Sequence, residues 1–176
     1  MNKAIFFDLD GTIIKDYHYN VNPSRITFVS GALRTLKLLQ NAGYLLIIVT
    51  NQSGIARGIY TLEEMEKYHN HILEILKREG IHISKIYYCP HLKDGVVKEY
   101  AIDCDCRKPK TGLFLKAVEE FDIDVSKSYV VGNEDRDLCF ASIDGCQGLL
   151  LSDKPTTSPN SINIKRFSGI YSVIKL

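Results

Sequence analysis

The chain has almost no net charge: 22 Lys and Arg stand against 21 Asp and Glu in 176 residues, a formal +1. That balance argues against a broad electrostatic grip on nucleic acid or an anionic membrane, but leaves room for a local cluster that binds a small anion. No apolar run reaches 18 residues, and the opening MNKAIFFDLDGT has acids where a signal peptide needs an apolar stretch. Neither secretion nor a membrane span is expected, and the chain reads as cytoplasmic. Nor is there an even set of cysteines. The five, Cys89, Cys104, Cys106, Cys139 and Cys146, fit a reducing compartment better than a disulfide framework. Internal repeats and low-complexity linkers are missing too, so residues 1–176 read as a single domain large enough to bury its own core. No interface-like stripe stands out, and a monomer is expected.

What is present is alternation. AIFF (4–7) and YLLIIV (44–49) are uninterrupted apolar runs of the kind that suits a central parallel strand covered on both faces. Further strands are predicted at 85–89, 128–131 and 147–151, the last closing the core. Helices are predicted at 31–40, 61–80, 111–121 and 135–143; the second opens with Thr61 and Glu64 at capping-box spacing. A polar tail follows at 155–163, with an apolar close at 170–176. This pattern predicts an α/β fold: a three-layer, Rossmann-like, mainly parallel sheet with helices on both faces. No large cap domain is inserted between Thr12 and the second strand, and residues 15–28 are expected to frame an entrance. In such sheets reactive groups gather beyond the carboxyl ends of the strands. Asp8, Thr50, the loop after Tyr88 and the loop after Val131 all fall there.

Asp8 and Asp10 in FFDLDGT supply two carboxylates just past a buried strand. Phosphoryl transfer uses such a pair: one attacks phosphorus, while the other protonates the leaving oxygen and then activates water. It also needs a divalent cation and donors around the equatorial oxygens. Gly11 lets backbone amides approach a phosphate, and Thr12 helps hold the loop.

Cys89, His91, Cys104 and Cys106 form C-x-H…C-x-C, one complete tetrahedral set for structural Zn2+ that would staple the long 90–109 stretch. The loop runs directly into Arg107, suited to bidentate phosphate binding, and Lys108, a compact positive charge. The loop TNQSGIAR (50–57) is crowded with polar side chains and suits a polyhydroxylated phosphate ester. Cys139 and Cys146 read as small core residues, and His18, His69, His71 and His82 as surface residues.

DLDGT at 8–12, Thr50 after LLIIV, Lys108 and VVGNEDRD at 130–137 resemble, in order, the four motifs of haloacid-dehalogenase-type phosphatases. VTNQSGIARG (49–58), YYCPH (87–91) and CDCRKPKTG (104–112) narrow the resemblance to the D-glycero-D-manno-heptose 1,7-bisphosphate phosphatases, with histidinol phosphatases the nearest siblings. The resemblance implies Asp8 as nucleophile, Asp10 as acid/base, and Thr50 and Lys108 as partners of the transferring phosphoryl group. It implies Asn51, Ser53 and Arg57 around the substrate, beside the Arg107 read above, zinc on the cysteine–histidine set, and catalytic Mg2+ near Asp8, Asp10 and position 133. The implied activity is removal of the 7-phosphate from a phosphorylated heptose bound for lipopolysaccharide or another surface glycan.

The fourth motif departs from the pattern. Asn133 stands where the family has a magnesium aspartate, and Glu134 where the heptose enzymes commonly have lysine. Asn133 could coordinate the ion through its carbonyl, Glu134 or Asp135 could move in to restore a carboxylate, or the chain could be slow or adapted to another substrate. Beside the heptose reading stand histidinol phosphate or another small phosphoester, a 3′-phosphorylated polynucleotide (disfavoured by the neutral charge balance), and a zinc-stabilised phosphate-binding protein with little turnover.

Overall fold

The four residues of AIFF alternate between two apolar clusters, which sets the architecture. In this computed structural model, which describes residues 1–174, they form β1 (Ala4–Phe7), and all four are buried. Ile5 and Phe7 join one cluster, with Leu36 and Leu39 of α1 (Ala32–Asn41), Ile72 and Leu76 of α2 (Leu62–Arg78), and Ile170 of α5 (Gly169–Ile174). Ala4 and Phe6 join the other, with Phe114 and Ala117 of α3 (Gly112–Phe121) and Phe140 and Ala141 of α4 (Cys139–Asp144). Phe6 meets Phe114 and Phe140 edge-on, at ring-centroid distances of 5.4 and 5.6 Å. Truncating such a ring to alanine costs about 3–5 kcal/mol.

The other strands are β2 (Leu45–Asn51), β3 (Lys85–Cys89), β4 (Tyr129–Gly132), β5 (Gln147–Leu151) and β6 (Ser161–Ile164). Their order is β3-β2-β1-β4-β5-β6 and every pairing is parallel. The three-layer expectation holds. The order reverses at β1, so the carboxyl ends of β1, β2 and β4 open onto one crevice, the place where such sheets bind ligands. The capping box forms as read: Thr61 Oγ1 accepts from the Glu64 amide at 3.2 Å, and Glu64 accepts from the Thr61 amide at 2.7 Å.

Three expectations need correction. Gln147–Leu151 is not the last strand, because the polar tail supplies β6. Only Ile164 of its four residues is buried, and an edge strand that half faces solvent carries no apolar run to betray it. The apolar close forms α5 up to Ile174, while Lys175 and Leu176 lie outside the described residues. The helix predicted at 135–143 is instead a 3-10 turn (Asp135–Leu138) followed by α4. His69 is 5% exposed rather than on the helix surface, with its ring 6.0 Å from that of Tyr88. Burial moves its pKa down to about 4, so it is a neutral core residue.

Candidate active site

The crevice is built from strand ends inward. Asp8 follows β1 directly, and its amide donates to Val131 O of β4 at 2.9 Å, tying it between the two strands. Lys108 reaches it from the far side. Its ammonium sits 2.7 Å from Asp8 Oδ1 and 2.8 Å from Asp137 Oδ1, and donates to Val49 O at 2.8 Å. Asp137 reaches this position by folding over Gly132, where a Cβ would lie 2.2 Å from the Asp137 Cβ. Asp137 closes the VVGNEDRD segment, but its pairing with Lys108, twenty-nine residues away in sequence, emerges only in the fold.

The next loop holds itself together. Gly11 has φ +85°, and a Cβ there would lie 2.6 Å from Asn133 Nδ2, so both conformation and space require glycine. The Thr12 hydroxyl lies 3.2 Å from Asn133 Oδ1 and 3.4 Å from Asp8 Oδ2, drawing both oxygens toward one point. Asp10 Oδ2 accepts from Gln52 Nε2 at 2.9 Å, and the same nitrogen donates to Thr50 Oγ1 at 3.0 Å. At the end of β2, Asn51 grips the Lys108 backbone at both atoms: its Nδ2 donates to the carbonyl at 3.1 Å, and its Oδ1 accepts from the amide at 3.0 Å. Both functional atoms of Asn51 are thus already engaged in placing the lysine.

Cys89, His91, Cys104 and Cys106 converge, with all four ligand atoms within 4.8 Å of one another. Cys106 Sγ lies 2.9 Å from Cys89 Sγ, 3.3 Å from Cys104 Sγ and 3.3 Å from His91 Nδ1. Three soft sulfurs and an imidazole at this spacing fit a four-coordinate metal. Arg107 donates to His91 O at 3.3 Å, carrying this loop's position into the crevice. Cys139 and Cys146 are buried in the core as expected.

Asp8, Asp10, Thr50, Asn51, Ser53, Arg57, Arg107, Lys108 and Asn133 line one cleft of about 320 Å³. Asp16, His18, Tyr19 and Asn20 form part of its rim, so the 15–28 segment does frame the entrance. Asp135 does not enter. Its carboxylate accepts from the Thr156 hydroxyl at 2.7 Å and the Thr157 hydroxyl at 2.6 Å, which removes it as the restored magnesium ligand. Glu134 stays at the mouth, 3.0 Å from Arg136 Nε.

Burial, then the neighbouring Asp137, pushes the Asp8 carboxyl up against the pull of Lys108. Burial also raises Asp10, to about 6, with the Gln52 donor holding it down. Burial works against the Lys108 charge, but Asp8 and Asp137 outweigh it and its pKa rises. Three carboxylates thus face one ammonium, an imbalance that a divalent cation relieves. The donor set of Asp8, Asp10 and Asn133 is hard oxygen throughout and fits Mg2+, with one negative charge fewer than three carboxylates would bring.

A parallel sheet with a buried aspartate at the end of β1, and a lysine that bridges it to a β4-loop aspartate, is the arrangement of a haloacid-dehalogenase-like phosphatase. A HAD-like protein of Mesorhizobium loti superposes with a TM-score of 0.87 at 28% identity, over 99% of this chain and 86% of that one. Residues 3–138 match the family model described as polynucleotide kinase 3 phosphatase. The D-glycero-beta-D-manno-heptose-1,7-bisphosphate 7-phosphatase of Haemophilus influenzae is 43% identical over 138 residues, 78% of this chain and 74% of the relative. The crystal structure of the D,D-heptose 1,7-bisphosphate phosphatase of B. bronchiseptica, complexed with magnesium and phosphate, aligns with a TM-score of 0.82 at 25% identity over 98% of both chains. The chain belongs to this family of phosphatases, and it is an enzyme of the phosphoester-hydrolysing kind.

Proposed function

We propose that the enzyme removes the 7-phosphate of a D-glycero-D-manno-heptose 1,7-bisphosphate. The observation that carries the chemistry is the buried Asp8–Lys108–Asp137 bridge facing Asp10 across one cleft. A carboxylate Oδ of Asp8 attacks phosphorus as the P–O bond to the sugar breaks, and Asp10 gives its proton to the departing alkoxide. Water then attacks the aspartyl phosphate, the P–O bond to Asp8 breaks, and Asp10 recovers a proton from that water. Thr50 donates to an equatorial oxygen, and the charge of Lys108, held in place by Asp8, Asp137 and Val49 O, stabilises the phosphoryl oxygens. Magnesium held by Asp8, Asp10 and Asn133 would neutralise phosphoryl charge. Zinc on Cys89, His91, Cys104 and Cys106 would be structural, because four protein groups fill its coordination shell.

For the substrate, the relatives' activity is supported by the cleft's own chemistry. Arg57, Arg107 and Arg136 stand with Asn20 and Ser53 around it, a lining that suits a hydroxyl-rich molecule with a second anionic group. Nucleic acid is not an expected partner: Asp16 and Glu134 sit at the rim, and the whole chain is only +1.

The test is steady-state phosphate release with Mg2+ from both anomers of heptose 1,7-bisphosphate, histidinol phosphate and a 3′-phosphorylated oligonucleotide, with Asp8→Asn as control. Preference for a heptose bisphosphate, lost in the control, is expected. Preference for another ester would keep the mechanism and overturn the substrate. Release that persists in Asp8→Asn would overturn the mechanism itself.

A further inference from the structure

Gln52 has no role in the reaction as written, yet it touches two of the groups that do. It is 6% exposed, and every functional atom of its amide is used. Nε2 donates to Asp10 Oδ2 and Thr50 Oγ1, while Oε1 accepts from the Tyr60 hydroxyl at 2.6 Å. The reverse amide orientation would aim Oε1 at a carboxylate oxygen 2.9 Å away, lone pair against lone pair, and would strip Asp10 of its donor. Tyr60 therefore donates. Its ring is 7% exposed and lies over Gly54, where a Cβ would come within 2.2 Å of Tyr60 Cε1. The absent side chain at Gly54 is what admits the tyrosine.

The direction of each hydrogen has consequences. Thr50 Oγ1 accepts from Gln52, so its single O–H is left for another acceptor, and Thr50 lines the cleft. Asp10 is tethered through Oδ2, which fixes the plane of the carboxyl and so the aim of its other oxygen. One amide thus sets both the hydroxyl and the carboxyl that converge on the cleft.

We propose that Gln52, locked by Tyr60, is a positioning residue that aims the Asp10 carboxyl at the leaving oxygen and the Thr50 hydroxyl at the transferring phosphoryl group. This rests on the roles given above to Asp10 and Thr50. Without the tether Asp10 swings, and proton delivery to the sugar oxygen fails more often than substrate binding does. Tyr60→Phe removes the lock but keeps the ring, so it gives a smaller version of the same defect.

The experiment measures first-turnover alcohol release, together with steady-state kcat and KM, at saturating Mg2+. It uses heptose 1,7-bisphosphate, an alkyl ester whose leaving oxygen needs a proton, and p-nitrophenyl phosphate, whose leaving oxygen does not. The proteins are wild type, Gln52→Met, Tyr60→Phe and Asp10→Asn, each checked for native circular dichroism. Gln52→Met is expected to slow alcohol release from the heptose by about 10–100-fold, with KM within about threefold and a loss on the aryl ester at least about fivefold smaller. Tyr60→Phe should show the same asymmetry at about 3–10-fold. Equal losses on both esters, a change confined to KM, or no change in either folded variant would overturn the proposal. If Gln52→Met does not fold, Tyr60→Phe decides alone. Absence of the ester asymmetry in Asp10→Asn would overturn the acid/base reading and the proposal with it. Asymmetry in Asp10→Asn but in neither other variant would overturn only the proposal.

Discussion

The cleft has two unlike walls. The β1–β2 wall, from Asp8 to Tyr60, is buried and closed: Gln52 joins Asp10, Thr50 and Tyr60, and Asn51 clamps Lys108. The β4 wall is looser and more exposed. Asn133 is neutral, Glu134 and Arg136 pair at the mouth with roughly half of each side chain exposed, and Asp135 turns away to the tail. Asp137 reaches inward to Lys108, and Asn133 to the Thr12 hydroxyl. The first wall carries the DLDGT and TNQSGIAR segments of the resemblance, and the second carries Asn133 and Glu134, where the sequence departs from it. The residues proposed to break bonds thus sit on the wall with the denser hydrogen bonding, while the departures at Asn133 and Glu134 lie on the wall that meets solvent.

The largest break should come where the walls meet. Lys108→Met removes the cation shared by Asp8 and Asp137 and leaves two buried carboxylates facing each other. A loss of kcat of about 10³-fold and a destabilisation of about 3–5 kcal/mol are expected. Activity assays and chemical denaturation would check them. Because the defect is repulsion, Asp137→Asn in the Lys108→Met background should recover part of the stability but not the rate.

A smaller effect should come from behind the first wall. Cys106→Ser leaves the sulfur–imidazole cluster one thiolate short, immediately before Arg107 and Lys108. Zinc content by mass spectrometry should fall, and kcat should drop by about 10–100-fold through misplaced cations. Loss of zinc with full activity would separate the loop from the cleft and break the proposed link between them.

Asn133 sharpens the contrast directly. Asn133→Asp restores a negative charge beside Asp8 and should tighten Mg2+ binding by about tenfold, read by calorimetry on the unliganded enzyme. Burial within the first wall also bears on pH. Asp10 has its pKa raised to about 6 in the folded state from an ordinary 3.8. The folded form therefore holds this proton more tightly than the unfolded chain. The resulting stabilisation is complete below about pH 4 and fades as pH rises toward 6, leaving a fixed cost above that. At pH 8, Asp10→Asn should remove that cost and raise the melting temperature by roughly 3–8 °C, although it abolishes proton delivery.

Much of this was legible in the sequence for physical reasons, and the rest was hidden for equally physical ones. AIFF ending in Asp8 announces a buried strand with a reactive terminus, because four consecutive apolar residues fit a sheet covered on both faces. Thr61 and Glu64, and the C-x-H…C-x-C set, are local patterns whose spacing is their mechanism. The Asp137–Lys108 bridge and the Tyr60–Gln52–Asp10 chain join residues far apart or turned about a glycine, so no spacing rule shows them. The edge strand β6 and buried His69 break the usual link between polarity and exposure.

Asp135 yields the smallest expected effect, and it tests whether the looser wall is held by the tail. Its carboxylate accepts from both the hydroxyl and the amide of Thr157 and from the Thr156 hydroxyl; these bonds, the Thr157 hydroxyl foremost, hold its pKa below the usual carboxylate range. A depressed folded pKa means that the stabilisation is present above the unfolded pKa and is lost as pH falls through the folded value. Asp135→Ala should therefore lower the melting temperature by about 2–4 °C at pH 7, and the gap to wild type should narrow below about pH 4. Turnover should stay within about twofold, because the side chain faces away from the cleft. If turnover instead falls as far as it does without zinc, the tail holds Asn133 and Asp137 in place through Asp135. The two walls would then be equally determined, one by its own hydrogen bonds and the other by the end of the chain.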